Sequence, residues 1–444
     1  MIKNSTIDWK DKNIAVLGAG KTGISVSKLA KFIGANVLLS DSNEKNIDNV
    51  HIGIKIEVGG HSNKILENDL IIKSPGIPND IPILIKAREK KIKIISEIEF
   101  SSWFSQLPII GITGSNGKTT TVNLLNRIFK DANFNPALGG NMGIPFSDNV
   151  MEELLGSEKI KLHILELSSF QLEHIFELSL SIACILNISE DHLDRYKNMS
   201  LYIDAKLKII DFSDKVLYDS NDPILFNRIH RMNKSQEVNS EHSIFKILNN
   251  AIYSNKKEEI MFSLEDTNFI GSHNLLNALN ACTLASLYGV SDECIVSAMK
   301  KIKPLSHRLE LVADLNSIKF YNDSKSTNIN STIKALESFN ENIILILGGI
   351  NKGSEFRDLK ANLGYVKNIY CYGKSGQEIA SSLKDYIDTQ YIYDFSDCVK
   401  RAINGAVGND NVLLSPACAS FDQFNNFEER GELFRKIVME KNNV

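Results

Sequence analysis

The chain has 444 residues, is 43% hydrophobic and carries a formal net charge of −4, so its length predicts about three domains with separate cores. This small net charge gives no overall attraction to nucleic acid or to an anionic membrane, and phosphate binding must come from local sites. Six scattered cysteines without a C-x-x-C pair favour reduced thiols in a cytoplasmic protein. No apolar signal core or stretch of roughly 18 apolar residues is present, so we expect neither export nor a membrane partner.

The first motif is a glycine loop after a predicted strand. Gly18-Ala19-Gly20-Lys21-Thr22-Gly23 follows an apolar run, and a second predicted strand ends at Asp41. A G-x-G-x-x-G loop with an acidic residue about 20 positions on is typical of a dinucleotide site. The same turn serves any ligand that brings a diphosphate or a ribose to a helix N-terminus, so both ligands stay open. Further on, Ser74-Pro75-Gly76 follows the strand at residues 69–73 and is either a ligand loop or an ordinary turn.

A second glycine loop, T-G-S-N-G-K-T at residues 113–119, predicts a nucleotide site and is called the phosphate loop below. It follows the apolar run of residues 109–113, and after Gly117 the apolar residues recur at helical spacing. In such a loop successive N–H groups and the helix N-terminus face one point, where Lys118 adds a full charge. Thr119 or Thr120 would place a hydroxyl on a magnesium ion that bridges the phosphates. We therefore predict ATP as a ligand, the alternative being a glycine turn with a surface lysine.

Polar groups follow the other predicted strands of this region. Asn141 lies in a glycine loop, and Glu166 ends the apolar run of residues 162–165. A carboxylate at that point is a magnesium ligand in such folds, or else it caps the next helix. His192, in E-D-H-L-D-R-Y, follows another buried strand. It is a metal ligand, a partner for a carboxylate, or part of a polar capping loop.

Lys206 lies on an apolar helix face, between Tyr202 and Ile203 on one side and Ile209 and Ile210 on the other. This pattern could direct the ammonium group inward. A lysine whose stem covers apolar surface while its charge reaches water is the more ordinary arrangement, and from the pattern alone we expect it here.

Residues 220–268 are polar, and we expect irregular structure there. The helical pattern that follows carries Asn274 and Asn277 on one face. Asparagine is mildly unfavourable inside a helix, so two on one face predict a polar partner such as a base or a ribose.

The last third of the chain alternates predicted strands and helices. Polar loops follow three of the strands, at residues 322–328, 348–353 and 415–424. Loops at the carboxyl ends of parallel strands line one crevice. The predicted domains are residues 1–98, 99–304 and 305–444.

Taken in order, these segments resemble the Mur ligase family over nearly the whole chain. The resemblance lies in T-G-S-N-G-K-T, G-G-N-M-G, L-E-L-S-S-F-Q-L, E-D-H-L-D-R-Y, Y-x-x-x-K, H-N-x-x-N-A, H-R, N-D-S-K-S-T-N and S-P-A-C-A-S-F-D-Q-F. It implies an α/β protein of three domains: an N-terminal Rossmann-like domain, a central P-loop-type ATPase domain with a mostly parallel sheet, and a C-terminal Rossmann-like domain. It also implies a monomeric ligase that uses ATP and two Mg²⁺ ions. Such an enzyme would add D-glutamate to UDP-N-acetylmuramoyl-L-alanine through an acyl phosphate, in peptidoglycan precursor synthesis, with hinge motion around residues 98 and 305.

The resemblance implies roles for residues at matching positions. ATP would meet Gly114, Ser115, Asn116, Gly117, Lys118, Thr119, Thr120, Asn277, Arg308 and Asp323. The UDP substrate would meet Lys21, Thr22, Asp41, Ser42, Ser74, Pro75, Gly76, Asn141, Ser168 and Gln171. D-Glutamate would meet His192, Lys325, Thr327, Lys352, Ser420, Phe421 and Phe427. The catalytic residues would be Lys118, Glu166, His192 and Lys206, and the metal ligands Thr119, Glu166, His192 and Lys206, the last as a carbamate.

Three alternatives stay open. A nicotinamide-dependent oxidoreductase would use the first glycine loop and Asp41 but would leave the loop at Lys118 without a role. A nucleotide-gated binding module would not need Glu166, His192 and Lys206 beside that loop. Sister ligases share the phosphate loop but differ in the C-terminal loops, where S-F-D-Q-F favours D-glutamate.

Overall fold

The structure is a computed structural model that describes residues 8–44, 53–156, 159–192, 195–267, 271–302 and 305–441. Leu193 and Asp194 of the E-D-H-L-D-R-Y motif, and the predicted boundary residue Pro304, lie outside these ranges. Within them the strands form four sheets, and parallel pairing dominates three of these. The chain is therefore α/β, as predicted.

The N-terminal sheet has five parallel strands in the order β3-β2-β1-β4-β5. Apolar runs such as those of β1 and β4 are buried, as expected of strands covered by helices on both faces. The strand order reverses beside β1, which places the first glycine loop at the crevice of the sheet. The elements are β1 Asn13–Leu17, α1 Lys21–Phe32, β2 Asn36–Asp41, β3 Lys55–Val58, β4 Leu70–Lys73, α2 Pro82–Glu89, β5 Lys93–Ile95 and α3 Glu97–Ser102.

The central sheet has six parallel strands in the order β11-β10-β9-β6-β8-β7. The phosphate loop follows its inner strand β6, and α4 begins directly after the loop. The elements are β6 Ile109–Thr113, α4 Lys118–Asp131, β7 Pro136–Gly140, α5 Phe146–Leu154, β8 Leu162–Glu166, α6 Ser169–Leu172, β9 Leu180–Ile185, α7 Met199–Leu207, β10 Ser213–Asp219, α8 Pro223–Ile229 and β11 Ser235–Val238.

The expectation of irregular structure at residues 220–268 is wrong. Besides α8 and β11, this segment forms an antiparallel three-stranded sheet. Its first hairpin turns at Asn249 and Asn250, both at positive φ (51° and 57°), the conformation that asparagine tolerates in a tight hairpin. The strands are too short for a clear alternating pattern, so this turn was the available signal. The elements from here to the next region are β12 Phe245–Leu248, β13 Ala251–Ser254, β14 Glu259–Ser263, α9 Ser272–Leu287 and α10 Asp292–Lys301.

The C-terminal sheet has six strands in the order β15-β16-β20-β17-β18-β19. Only β15, which the sequence analysis did not predict, is antiparallel to its neighbour within the described residues. The elements are β15 Glu310–Leu315, β16 Ile318–Asn322, α11 Ile329–Leu336, β17 Ile343–Gly348, β18 Val366–Tyr372, α12 Gly376–Leu383, β19 Thr389–Tyr391, α13 Phe395–Gly405, β20 Asn411–Leu414 and α14 Phe427–Lys441.

Two buried glutamates on α3 attach the N-terminal region to the central one. The Glu99 carboxylate accepts the backbone N–H groups of residues 176, 177 and 178 at 3.0, 2.8 and 3.0 Å. One oxygen of Glu97 accepts the N–H of Ser147 at 2.6 Å, whereas the other is buried without a hydrogen-bond partner. Burial raises the pKa of Glu97 to about 7. The predicted domain boundary near residue 98 lies between these two contacts and stays a prediction.

Across the part of the chain that the structure describes, no helix combines the length and the apolar character needed to cross a bilayer.

Candidate active site

One large cavity, of about 1680 Å³, is lined by segments from all three predicted domains. It lies where the loops after β4, β6, β8 and β9 face those after β16, β17 and β20. Twenty-one of the predicted site residues line it: Gly76, Ser115, Asn116, Gly117, Lys118, Thr119, Thr120, Asn141, Glu166, Ser168, His192, Lys206, Asn277, Arg308, Asp323, Lys325, Thr327, Lys352, Ser420, Phe421 and Phe427. The lining leaves out Gly114, Gln171, Lys21, Thr22, Asp41, Ser42, Ser74 and Pro75.

The phosphate loop has a geometry that requires glycine. Gly117, the residue before α4, has a φ of 86°, and a Cβ added there would lie 2.1 Å from the side-chain oxygen of Asn277. The chain can adopt this turn because glycine has no Cβ. The Lys118 ammonium folds back over the loop and donates to the carbonyl oxygens of Gly114 at 2.7 Å and Ser115 at 2.8 Å. Loop and lysine thus form one concave polar surface.

Glu166 lies at the end of β8 beside the start of α4. Its carboxylate accepts the Thr119 hydroxyl at 2.8 Å and the Asn141 amide at 2.9 Å. Glu166 does not cap the next helix, because Ser168 caps α6 in a capping box with Gln171. The carboxylate is therefore available to the cavity.

The oxygens of Thr119 and Glu166 fit a magnesium ion, which prefers hard oxygen ligands. No group of three His, Cys, Asp or Glu side chains that could hold a metal occurs in the described ranges. A magnesium ion here would depend on one carboxylate and one hydroxyl together with phosphate oxygens, as is usual for nucleotide-bound magnesium.

Lys206 points inward, so the expectation that its ammonium reaches water is wrong. The side chain is buried, and its Nζ donates to the carbonyl oxygen of Gly114 at 2.8 Å. The Nζ also lies 4.8 Å from the centre of the Tyr202 ring. Burial, and then the neighbouring charge of Lys118, lower the pKa of Lys206 well below its usual value. The neutral amine is thereby more accessible than in an exposed lysine.

Asp191 joins two parts of the cavity wall, and the sequence analysis did not select it. One carboxylate oxygen lies 3.4 Å from the Lys352 Nζ, and the other lies 3.6 Å from the His192 Nε2. Burial acts to raise its pKa, but Lys352, His192 and Lys118 outweigh it and hold the pKa of Asp191 below its usual value. An acidic residue directly before His192 in a strand-end loop was the signal that could have identified it.

The loop after β16 places two titratable groups with unusual pKa values in the cavity. The Asp323 carboxylate accepts the Leu309 N–H at 3.2 Å and the Ser415 hydroxyl at 2.8 Å, and burial raises its pKa to about 6. The Lys325 Nζ lies 3.8 Å from the centre of the Phe427 ring. Burial, and then the charge of Arg308, lower the pKa of Lys325 to about 7.

Arg430 on α14 supports two cavity loops from behind. It is fully buried and donates to the hydroxyl and the carbonyl of Ser324, at 2.9 and 2.6 Å. It also donates to the Tyr372 hydroxyl at 3.0 Å and to the Cys418 carbonyl at 3.1 Å. The loops after β16 and β20 are therefore held by one side chain. An arginine in a charged helix gives no sequence signal of such burial.

The N-terminal glycine loop contacts the central region beside the cavity. The Lys21 Nζ donates to the Gly143 carbonyl at 2.6 Å, and an Arg195 nitrogen donates to the Pro75 carbonyl at 2.7 Å. Asp41 accepts the backbone N–H of Ala19 inside the glycine loop. Among the residues predicted for the UDP substrate, Gly76, Asn141 and Ser168 line the cavity itself.

Family models match three successive parts of the chain. A Mur ligase MurD-like N-terminal domain matches residues 12–96, a Mur ligase middle domain matches residues 112–285, and a Mur ligase glutamate ligase domain matches residues 307–418. The chain belongs to the Mur ligase family.

Two curated relatives match nearly the whole chain. A protein of Christiangramia forsetii is 38% identical over 96% of this chain and 99% of the relative. A protein of Thermoanaerobacter pseudethanolicus is 37% identical over 98% of this chain and 99% of the relative. Both are named UDP-N-acetylmuramoylalanine–D-glutamate ligase.

Solved structures share the fold. The UDP-N-acetylmuramate-alanine ligase MurC of Thermotoga maritima aligns with a TM-score of 0.62 at 20% identity, over 97% of this chain and 99% of that one. The MurF ligase of T. maritima, solved in complex with ADP, aligns with a TM-score of 0.58 at 16% identity, over 85% and 91%.

Proposed function

We propose that this chain is an ATP-dependent ligase that joins D-glutamate to UDP-N-acetylmuramoyl-L-alanine, releasing ADP and phosphate, in peptidoglycan precursor synthesis. The observation that carries the proposal is that the phosphate loop, the Glu166 carboxylate and the cationic C-terminal loops line one cavity. The names of relatives that match over nearly their whole length support the substrates.

The chemistry needs two steps because a carboxylate is a poor acyl donor at neutral pH. The alanine carboxylate attacks the γ-phosphate of ATP, which gives an acyl phosphate and ADP. The amine of D-glutamate then attacks the acyl carbon, phosphate leaves with the bonding electrons, and the amine loses a proton to give the amide. Lys118 would balance charge on the transferred phosphoryl group, because a cation fixed beside the phosphate loop favours a transition state with spread negative charge.

Thr119 and Glu166 would hold one magnesium ion. His192 and Lys206, the latter as a carbamate, would hold a second. Bound magnesium neutralises the charge of the phosphate oxygens. The low pKa of buried Lys206 supports the carbamate, because a neutral amine is the form that adds carbon dioxide.

The other predicted residues divide among the substrates. Asn277, Arg308 and Asp323 would contact the base and the ribose of ATP. The loops with Lys21, Thr22, Asp41, Ser42, Ser74, Pro75 and Gly76 would hold the UDP group, with Asn141, Ser168 and Gln171 nearer the reacting end. Lys325, Thr327, Lys352, Ser420, Phe421 and Phe427 would receive D-glutamate, whose two carboxylates favour cations and hydroxyls.

The enzyme would act as a cytoplasmic monomer whose domains, at residues 1–98, 99–304 and 305–444, close on three substrates.

A nicotinamide-dependent oxidoreductase is the competing function. The first glycine loop favours this function, but the residues of that loop do not line the cavity, which lies around Lys118 and Glu166. Titration with NADH, followed by its fluorescence, tests it, and we expect no binding.

The direct test is the amino-acid dependence of phosphate release. Purified protein with ATP, Mg²⁺ and UDP-N-acetylmuramoyl-L-alanine should release phosphate when D-glutamate is added, and should not respond to L-alanine, L-lysine or diaminopimelate. Release with one of those three instead would overturn the substrate assignment. Nucleotide binding without any release would favour a binding module.

A further inference from the structure

Two side chains at the start of α11 contact the phosphate loop of the central region. The Ser331 hydroxyl donates to the side-chain oxygen of Asn116 at 2.8 Å, and the Asn328 amide donates to the same oxygen at 3.2 Å. Asn116 lies between Ser115 and Gly117, in the loop that forms the phosphate site. A direct polar contact therefore joins the C-terminal region to the part of the cavity proposed to hold ATP.

The acceptor in this contact is fixed in place. The Asn116 N–H donates to the side-chain oxygen of Asn187 at 2.9 Å, and the Asn187 amide donates back to the Asn116 carbonyl at 3.1 Å. Asn187 follows β9, so this pair attaches the phosphate loop to the central sheet. Because Asn116 is held on its backbone, its side-chain oxygen offers a defined position to a partner.

The donors are also fixed, because they begin a helix. Asn328 is the N-cap of α11, and its side-chain oxygen accepts the Ser331 N–H at 2.9 Å. Its amide also lies 3.4 Å from the Asp191 carboxylate. Just before this cap come Lys325 and Thr327, two of the residues proposed to receive D-glutamate. The position of α11 on the phosphate loop thus sets where those two residues lie relative to the acyl phosphate.

We propose that Ser331 is a positioning residue for the incoming amino acid, acting through Asn116. This inference rests on the proposed function. Its hydroxyl ties the loop that carries Lys325 and Thr327 to the phosphate loop, so that the amine is presented to the activated carboxylate. Ser331 itself does not need to touch D-glutamate, because its effect comes from the geometry of the two loops.

The test compares Ser331→Ala with Ser331→Thr, which keeps the hydroxyl. The matched control is Ser381→Ala, on α12 of the same region, where the hydroxyl bonds only to its own helix at the Gln377 carbonyl in the described contacts. Ser331→Ala should raise the KM for D-glutamate by about three- to tenfold, the effect of losing one neutral hydrogen bond. The KM for UDP-N-acetylmuramoyl-L-alanine should stay within about twofold, as should both constants in Ser331→Thr and Ser381→Ala.

Two kinetic outcomes would overturn the inference. One is an unchanged KM for D-glutamate in Ser331→Ala, and the other is an equal rise in both KM values, since a general loss of structure would act on both substrates. Small-angle X-ray scattering gives a readout without turnover: because Asn328 donates to the same Asn116 oxygen, the double variant Asn328→Ala/Ser331→Ala, which removes both donors, should show a larger radius of gyration than the parent protein, and equal radii would contradict the contact. If the parent protein shows no release that depends on D-glutamate, the proposed function fails, while the scattering comparison still tests the contact.

Discussion

Lys118 and Lys206 share one acceptor, since both ammonium groups donate to the carbonyl oxygen of Gly114, at 2.7 and 2.8 Å. Two ammonium groups at one carbonyl would repel each other, and this repulsion adds to burial in lowering the pKa of Lys206. Conversion of Lys206 to a carbamate would replace this repulsion by attraction and would supply oxygen ligands for a metal. The arrangement therefore favours modification of Lys206 and not of Lys118, whose charge is required for its proposed role at the phosphates.

Lys206→Arg tests this difference, because arginine keeps a positive charge but cannot form the carbamate. We expect kcat to fall by about 100-fold or more, the usual cost of losing a charged group that acts on the transition state. The matched control is Lys208→Arg, since Lys208 donates to the Glu173 carbonyl at 2.8 Å and does not line the cavity. ¹³C NMR with labelled bicarbonate should show a carbamate signal in the parent protein that Lys206→Arg lacks. Full activity in Lys206→Arg would exclude the carbamate role.

Thr119 should matter through its hydroxyl and not through its size. Thr119→Val is similar in shape but removes the group that bonds to Glu166, whereas Thr119→Ser keeps it. We expect Thr119→Val to lower phosphate release by about tenfold or more and to raise the Mg²⁺ concentration needed for half-maximal rate, because a magnesium ligand is lost. Thr119→Ser should stay within about threefold. Similar losses in both variants would point to packing instead.

Lys352 should contribute to amino-acid binding. Lys352→Met removes the cation that lies 3.4 Å from Asp191, and we expect the KM for D-glutamate to rise by about 10- to 100-fold, the cost of one charge-assisted contact. The KM for ATP should change little. Lys374→Met is the control, because Lys374 is an exposed lysine in a neighbouring loop that does not line the cavity. An equal effect in the two variants would exclude a specific role for Lys352.

Glu97 should make stability depend on pH. Its pKa is about 7 in the folded protein, against 4.5 for the free group, so its contribution is fully present below pH 4.5 and is lost as the pH rises through 7. The loss is about 3 kcal/mol at 1.36 kcal/mol for each pKa unit. Glu97→Gln, which is neutral at every pH, should reduce the fall in thermal midpoint between pH 5 and pH 8.

The control for this change is Glu89→Gln, at an exposed position on α2. It should leave the pH dependence as it is in the parent protein. A thermal midpoint for Glu97→Gln that lies below the parent at pH 8 would show that the ionised carboxylate is favourable.

The parts of the site that the sequence predicted are those in which a loop follows a strand. Lys118 follows β6 and Glu166 ends β8, and parallel pairing of these neighbouring strands brings both to one edge. The direction of Lys206 could not be predicted in this way, because the apolar neighbours on its helix suit either direction. Its inward direction is set by the hydrogen bond to Gly114 and by buried surroundings, which come from distant parts of the chain.

The hairpins of the structure could not be predicted from the sequence pattern either. The β15–β16 hairpin and the sheet at residues 245–263 consist of short strands joined by tight turns. Asn316 and Ser317, like Asn249 and Asn250, adopt positive φ. Such turns are encoded by one or two residues, and a search for strand periodicity over longer windows misses them.

The hydrogen bonds by which Arg430 supports the loops after β16 and β20 affect the order in which the cavity forms during protein synthesis. The chain leaves the ribosome from its N-terminus, so the phosphate loop and the central sheet can be complete before α14 has been synthesised. The loops at Ser324 and Cys418 acquire their common support only when the final helix docks. A chain whose translation stopped short of residue 427 would thus keep the phosphate loop at Lys118 but would lack the support of the loop that carries Asp323 and Lys325, so the proposed contacts to the ATP ribose and to the amino acid would both be incomplete.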